Sequence, residues 1–244
     1  IEKKYKNTKC ILSSENLGMG PGNNLGIENV KTNYALIINP DVILEKNTIN
    51  ELIEASKKID KFAIIAPISD NRDYPNYKLF KKTFSSNINP FKVKSIDGFA
   101  MLFNLKRLKE IKNFYFFDEN FFLYLENDDL CKRVNASNED IYVVPKSKIK
   151  HFGGKAVNQL YKFEIELSRN WHWIWSKFYF NKKHYGFIFA FMNGLPSFLS
   201  AIIKFCIYFI FNNQKKKKIY YNRCSGFLNA LFGRKSFYRP NINS

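Results

Sequence analysis

A short apolar run, Tyr34–Ile38, ends at Asn39-Pro40-Asp41, and this junction constrains the fold more tightly than composition does. A run of this length with β-branched residues is typical of a buried strand, most often in a parallel sheet. Pro40 has no N–H to donate to a neighbouring strand, so the strand is predicted to stop there. Asp41 then lies at the carboxyl end of a strand, where open α/β sheets bind their ligands.

Two interpretations of Asp41 follow from this position. A carboxylate at a strand end can hold a hard divalent cation, which in turn holds a diphosphate. The alternative is that Asp41 only begins the next turn or caps a helix. The tripeptide alone leaves both interpretations open.

A glycine-rich segment precedes the Asp41 strand and places four glycines within residues 18–26. Its N–H groups open into a helix predicted over residues 22–31, and such groups suit an anion or the edge of a base. A plain turn is the alternative interpretation. The segment lacks the Gly-Lys-Ser/Thr ending of a Walker loop, and it precedes the acidic strand, unlike a dinucleotide fingerprint.

Strand and helix patterns alternate along the first 150 residues, which favours an α/β domain with a mostly parallel sheet. Thr48 is a suitable N-cap for a helix that ends at Lys58. Residues 69–95 are polar and are predicted to form a long loop with one hairpin. The strands are predicted at residues 10–14, 34–38, 62–66, 99–103, 141–144 and 148–152, with Pro67 and Pro145 ending two of them.

A second acidic cluster, Glu126-Asn127-Asp128-Asp129, is predicted to begin a helix after a run of aromatic residues. Carboxylates in a first helical turn are explained by capping and by the helix dipole. They also suit acid–base chemistry, because crowding against other carboxylates and apolar surface raises a carboxyl pKa. Glu126 and Asp129 are three residues apart, so they lie on one helix face and can act together.

The C-terminal part of the chain is strongly basic and apolar. Residues 151–244 hold 15 Lys and Arg residues against two Glu residues, out of a formal net charge of +18 for the chain. Such a tail needs an anionic partner, either acidic lipid or nucleic acid. The four scattered cysteines have no metal-type spacing and are interpreted as reduced and cytosolic. The chain begins without Met or a signal-peptide pattern, so we expect a fragment that lacks its natural start.

Residues 186–203 carry no charge, which nearly meets the length of a membrane-spanning helix. Because Asn193, Gly194 and Pro196 interrupt this run, two helices are predicted instead, at about residues 165–192 and 197–212. We expect them to lie in the membrane interface, with Lys215–Lys218 meeting anionic headgroups. The alternatives are that the helices span the membrane, or that they form a packing face inside the protein or in a dimer.

Five segments, in their order along the chain, resemble the family 2 glycosyltransferases and in particular their rhamnosyltransferase-like branch. The resemblance covers about residues 11–155, and its ordered motifs are NLGMGPGNNLGI, ALIINPDVIL, SIDGFAMLF, FFDENFFLYLENDDLCKR and VVPKSKIKHFGG. It implies a GT-A fold, a nucleotide-diphosphate-sugar donor, a divalent metal (Mg²⁺ or Mn²⁺) and inversion at the anomeric carbon. It also implies a domain over residues 1–160 that lacks its first strand, followed by a basic, aromatic helical region over 161–244.

The resemblance also suggests roles for individual residues. Asp41 and His151 would bind the metal, although a lone His after a strand is otherwise a packed or exposed residue. Asp97, Glu126 and Asp129 would be the catalytic group, with a simple turn carboxylate as the alternative for Asp97. The expected nucleotide-sugar-binding residues are Asn16, Gly18, Gly20, Asn23, Asn39 and Gly98.

The sequence departs from the family at Asn127. The family pattern is Glu-Asp-x-Asp, and its second carboxylate is commonly taken as the general base. The amide of Asn127 cannot accept the proton, so either Glu126 or Asp129 is the base or the activity is reduced, and Glu126 is favoured as the base.

Three functions are compatible with these features. The leading one is an inverting, metal-dependent transferase of surface polysaccharide synthesis, which works on a saccharide or lipid-linked acceptor at the cytosolic membrane face. The second is a membrane-associated scaffold or binding protein that keeps the fold but has lost its chemistry, as Asn127 suggests. The third is a nucleic-acid-binding protein, which is disfavoured because no binding motif is present and long apolar runs separate the basic residues.

Overall fold

The computed structural model describes residues 1–69, 75–80, 88–153 and 159–241. In the first 160 residues the helices are α1 (Met19–Glu28), α2 (Thr48–Lys58), α3 (Leu105–Glu110) and α4 (Glu126–Ala136). The strands are β1 (Tyr34–Ile38), β2 (Val42–Leu44), β3 (Ile64–Ser69), β4 (Tyr77–Lys78), β5 (Phe91–Lys92), β6 (Ser95–Ile96), β7 (Ala100–Asn104) and β8 (Ile141–His151). The expected α/β class is confirmed.

The main sheet has the strand order β1-β7-β3-β8-β2, with β5 also paired to β8. Among the described strands only the β3–β8 pairing is parallel, and the other pairings are antiparallel. The prediction of a mostly parallel sheet is therefore wrong. β1 lies at one end of this order with Tyr34 and Ile38 exposed, so the apolar run is a half-exposed strand rather than a fully buried one.

Several predicted boundaries also differ from the structure. Residues 10–14 form no strand. The helix predicted over residues 22–31 begins earlier, at Met19. Pro21 is tolerated in its first turn because the N–H that proline lacks would have no partner inside the helix there. β3 and β8 continue through Pro67 and Pro145 instead of ending there. The register of the β3–β8 pair shifts between Pro67 and Ile68, and this irregularity accommodates the proline. The predicted hairpin within residues 69–95 corresponds to the β4–β6 pairing, while 70–74 and 81–87 lie outside the described residues.

Alternating side chains of the sheet form two apolar layers, as the period of a strand requires. Ile65, Leu102 and Val144 pack with α2 on one face. Neighbours of those residues point to the other face, where they form the larger core with α1, α3 and α4. The acidic start of α4 is thereby held against one face of the sheet.

Three helices form the C-terminal region: α5 (Lys162–Tyr185), α6 (Phe187–Ile210) and α7 (Gln214–Leu231), with a short 3₁₀ turn at Gln159–Tyr161 before them. They pack through a cluster of Trp171, Trp175, Phe178, Ala190, Phe227 and Ala230. The predicted break near Asn193–Pro196 is wrong, because Pro196 lies inside α6. The break falls at Gly186, whose φ of 88° is a left-handed value that suits glycine.

Candidate functional site

Asp41 and His151 meet at one end of the sheet. Asp41 lies in the turn between β1 and β2, and Val42 pairs with His151 across the antiparallel β2–β8 ladder. The Phe152 N–H donates to the Asp41 carbonyl at 3.1 Å, which fixes the turn. Asp41 Oδ1 consequently lies 3.4 Å from His151 Nε2, and both side chains are partly accessible to solvent. The structure thus brings together two predicted metal ligands that are 110 positions apart in the chain.

The segment before β7 is attached to the same end of the sheet. The Phe99 ring stacks on His151 with centroids 4.0 Å apart. The Asn39 N–H donates to the Phe99 carbonyl at 2.9 Å. Asn39, Gly98 and Asp97 therefore lie at the edge that carries Asp41 and His151.

The Asp97 side chain is exposed to solvent, but neighbouring protein atoms crowd its carboxyl. This partial desolvation raises the pKa of the Asp97 carboxyl, and the negative charge of Asp128 raises it further. The positive side chain of Lys78, and His151 to a smaller extent, act in the opposite direction. Asp97 thus lies within electrostatic reach of both His151 and the first turn of α4.

Asn127 connects α4 to the Asp97 segment. Its Nδ2 donates a hydrogen bond of 2.8 Å to the Ile96 carbonyl. A Cβ added at Gly98 would lie 3.3 Å from the Asn127 Cβ and only 2.3 Å from the Met19 methyl group. An ionised carboxylate cannot donate to a carbonyl, so the amide at this position has a structural explanation.

Glu126 is one of the buried acids of the site, with 5% of its surface exposed. Its Oε2 is buried and has no hydrogen-bond partner among the described residues. Burial raises the pKa of Glu126 to about 7, against the opposing effect of a backbone N–H bond, and the charge of Asp128 adds to the rise. A carboxyl with such a pKa can take up a proton near neutral pH.

The glycine-rich turn packs directly on the loop before α4. The Met19 N–H donates to the Phe122 carbonyl at 3.2 Å. A Cβ on Gly18, which has a φ of 91°, would lie 2.4 Å from the same oxygen, and one on Gly20 would lie 3.0 Å from the Phe117 Cβ. Close packing therefore explains both glycines.

The two asparagines of this turn bond to their own segment. Asn16 Oδ1 accepts from the Gly18 N–H at 3.1 Å, and Asn23 Nδ2 donates to the Met19 carbonyl at 2.9 Å. A role for Asn16, Gly18, Gly20 and Asn23 in nucleotide binding stays a prediction.

Asp129 is fully enclosed and is bonded on both carboxylate oxygens. Oδ2 accepts from Arg133 Nε at 2.8 Å within α4. Oδ1 accepts from His184 Nε2 at 2.8 Å and lies 2.6 Å from Lys183 Nζ, both of which are on α5. These contacts use Asp129 to attach α4 to α5, so they favour a positioning role over that of a base.

Lys183 extends this network to a second acid, Asp118, at 2.6 Å, and the Tyr179 hydroxyl donates to the same carboxylate at 3.0 Å. Burial lowers the pKa of His184 more than the bond to Asp129 raises it, and this favours the neutral imidazole. Burial also opposes the charge of Lys183, but its bonds to Asp118 and Asp129 outweigh this and raise its pKa. The sequence does not predict a role for these α5 residues, because nothing local to residues 183 and 184 indicates a partner in α4.

Comparison with known protein families identifies the family to which this chain belongs. Residues 1–131 match the family model described as Glycosyl transferase family 2. The match covers more than half of the chain, and the chain belongs to this family of sugar-transferring enzymes. Membership agrees with the expected GT-A fold of the α/β part.

One curated relative is the rhamnosyltransferase WbbL of Escherichia coli (strain K12), which is 25% identical over 160 residues. The aligned part covers 55% of this chain and 61% of the relative, so the chain spans less than two thirds of that protein. The assignment of this chain to the family therefore rests on the match of residues 1–131 to the family model.

Two solved structures are similar at low identity. GalNAc-T7 with UDP, GalNAc and Mn²⁺ has a TM-score of 0.46 and 13% identity, covering 66% of this chain and 38% of that one. S. aureus TarS 1-349 has a TM-score of 0.43 and 11% identity, covering 97% and 78%. Both scores are below 0.5, and neither likeness assigns a ligand to this chain.

Proposed function

We propose that this chain is an inverting glycosyltransferase that moves a sugar from a nucleotide-diphosphate donor to a hydroxyl of a saccharide or lipid-linked acceptor. The observation that carries the proposal is the convergence of Asp41, His151 and Asp97 at one sheet edge, to which Asn127 in the acidic first turn of α4 is bonded through the Ile96 carbonyl. Family membership makes glycosyl transfer the reaction class. The resemblance of the motifs to rhamnosyltransferases, and the name of the E. coli relative, favour a hexosyl or rhamnosyl donor. The same resemblance and the basic C-terminal region favour a role in surface polysaccharide synthesis.

Asp41 and His151 fit a divalent-cation site that the donor completes. They offer one carboxylate and one imidazole 3.4 Å apart. Within the described ranges no group of three or more His, Cys, Asp or Glu residues is placed to hold a metal. A cation held by only two protein side chains keeps coordination positions open for the phosphates of the donor, and Mg²⁺ is commonly bound in this way. Mg²⁺ or Mn²⁺ bound there would supply Lewis-acid stabilisation of the departing diphosphate.

Glu126 is the proposed general base. With a pKa of about 7 it is substantially ionised at neutral pH, and it can still accept the proton of an acceptor hydroxyl as that oxygen forms its bond to the anomeric carbon. Attack from the face opposite the leaving group produces inversion. Asp97 and Gly98 would contact the donor sugar, and Asn39 and the glycine-rich turn would contact the nucleotide. Asp129 would act indirectly, by fixing the orientation of α4 through its bonds to α5.

A catalytically impaired protein is the second candidate, and Asn127 favours it. In place of the usual carboxylate, this side chain is committed to the Ile96 carbonyl. Such a protein would bind a nucleotide sugar without turning it over.

A panel of nucleotide sugars tests the two candidates directly. We expect at least one donor to be consumed in the presence of Mn²⁺ or Mg²⁺, and this activity to be lost on chelation and restored by adding the cation back. Release of nucleoside diphosphate is the measurement. Donor binding without release would favour the impaired candidate, and the absence of both would overturn the enzymatic proposal.

The C-terminal helices support attachment to a membrane, which we propose is at its cytosolic face. α6 is long and apolar enough to cross a bilayer, by length and composition alone, and only 11% of its most apolar window is buried. Ile188 and Ile210 at its two ends are among its exposed large side chains. Lys215–Lys218 follow at the start of α7, where they can meet anionic headgroups. We propose that α6 lies in the membrane interface with this lysine cluster against the lipid surface.

Charge reversal in the lysine cluster should weaken vesicle binding. Each lysine near an anionic surface contributes roughly 1 kcal/mol, so Lys215→Glu with Lys218→Glu should lower partitioning into anionic vesicles by about tenfold or more. The matched control is Lys106→Glu with Lys109→Glu on the surface of α3, which should bind like wild type. Co-sedimentation with anionic and neutral vesicles is the measurement. Equal binding of both variants would contradict the proposed surface, and retention on an oligonucleotide instead would favour the nucleic-acid hypothesis.

A further inference from the structure

A cleft of about 500 Å³ lies between α4, the β4–β6 pair and the end of α5. It is separate from the Asp41–His151 edge but adjoins the first turn of α4. The residues that determine its chemistry are Lys78, Lys94, Asp128, Lys132, Phe180 and Tyr185.

The polar lining of the cleft is predominantly positive. Lys78 Nζ bonds both oxygens of Asp128, at 2.9 and 3.0 Å, so this acid is already neutralised. Lys132 Nζ bonds the Tyr185 hydroxyl at 3.0 Å and lies 4.2 Å from the centre of its ring. Lys94 makes no ion pair with any residue that the structure describes. Three ammonium groups against one carboxylate favour an anionic ligand.

The remaining lining is apolar, with Phe80, Leu125, Phe180 and Tyr185 contributing to it. A small inorganic anion would make no favourable contact with these apolar side chains. A phosphate ester of a hydrocarbon chain can contact both the lysines and the apolar lining. The Tyr185 ring also packs on Phe189 of α6, with centroids 5.0 Å apart. The apolar wall of the cleft therefore continues into the exposed apolar surface of α6.

The other end of the cleft adjoins the proposed donor site. Lys78 and Asp128 line the cleft and are also among the charges that act on Asp97. The residue before Asp128, Asn127, packs against Gly98. A ligand in the cleft would therefore lie between the α6 surface and the acids of the site.

We propose that this cleft binds the phosphate group and adjoining hydrocarbon of a lipid-linked acceptor. The inference rests on the proposed glycosyl transfer, which it deepens by specifying the acceptor class. Lys94 and Lys132 would bind the phosphate, Phe180 and Tyr185 would contact the first part of the chain, and α6 would keep the rest of the lipid at the membrane surface.

Binding of farnesyl diphosphate to the full chain tests the inference. Wild type should bind this probe at least about tenfold more tightly than inorganic diphosphate or farnesol, because only the probe engages both the charged and the apolar lining. Lys94→Glu should weaken the binding by about tenfold or more. Lys58→Glu on α2 removes an exposed lysine elsewhere and should bind the probe like wild type. Calorimetric titration gives the three affinities.

Three results would overturn the inference: an unchanged affinity in Lys94→Glu, equal binding of inorganic diphosphate, or equal binding of farnesol. Donor consumption by wild type is measured in the same preparation. Donor consumption without binding of the probe rejects the cleft and leaves the proposed function standing. Probe binding that depends on Lys94, without consumption of any donor, rejects the proposed function and keeps a lipid-phosphate site.

Discussion

Asp41→Asn is expected to lower sugar transfer by about a thousandfold or more. The substitution keeps the size of the side chain but removes the carboxylate that would bind the cation, and Lewis-acid stabilisation of a leaving group contributes several kcal/mol. Nucleoside diphosphate release at saturating Mn²⁺ is the measurement. Farnesyl diphosphate binding should be retained, because Asp41 does not line the cleft.

Asp60→Asn is the matched control for this prediction. Asp60 is an exposed aspartate after α2, and its substitution should leave transfer near the wild-type rate. Undiminished turnover in Asp41→Asn, with the donor still bound, would contradict the metal assignment and with it the proposed role of the sheet edge.

Glu126→Gln is expected to abolish most of the turnover while making the protein more stable in mild alkali. As the general base, Glu126 should contribute about a hundredfold to ten-thousandfold in rate. In wild type kcat/KM should rise with pH through about 7, the pKa of this carboxyl, because only the ionised form accepts the proton. The variant should retain donor binding and lose this rise. Glu110→Gln on the exposed side of α3 is the matched control.

The stability effect has a definite sign. Folding raises the pKa of Glu126 from 4.5 to about 7, so the folded state binds a proton more readily than the unfolded state does. Its contribution to stability is fully present below pH 4.5 and is lost as pH rises through about 7. Gln does not ionise, so the unfolding free energy of Glu126→Gln relative to wild type should increase by about 2–3 kcal/mol between pH 5 and 8. Denaturant unfolding at both pH values measures it, and a constant difference would contradict a buried, titrating Glu126.

Features encoded by neighbouring residues were predictable from the sequence. The strand 34–38 and the helix that begins at Glu126 follow from apolar runs, a proline and a capping pattern, and both are confirmed. Strand direction was not predictable in this way. Tyr34 pairs with Asn104, and β7 returns antiparallel between β1 and β3. Local periodicity gives no information about a partner that far along the chain.

The prolines show where a sound local rule was overridden by tertiary structure. Pro67 cannot donate a ladder bond, and the prediction that it ends the strand follows from that fact. The structure instead shifts the register of the β3–β8 pair beside it. Pro196 was likewise expected to end a helix, but it lies inside α6, and the boundary between the helices falls at Gly186.

Four residues of the candidate site were predictable from the sequence, namely the three acids and His151. Asp41, Asp97 and Glu126 stand in recognisable motifs, and the family match supports their context. The partners of Asp129 could not be found in this way, because Lys183 and His184 belong to a helix 54 and 55 residues further along. Only packing of α5 on α4 brings them together.

The double attachment of Asp129 has a consequence for the protein as a whole. A chain cut near residue 160 would keep Arg133 but lose Lys183 and His184. The enclosed carboxylate of Asp129 would then be paired with Arg133 and would lack its partners on α5. Residues 1–160 and the C-terminal helices share this buried network of charges, so the first part is not expected to fold independently of the second. A shorter chain would need another cation beside Asp129 to be comparably stable.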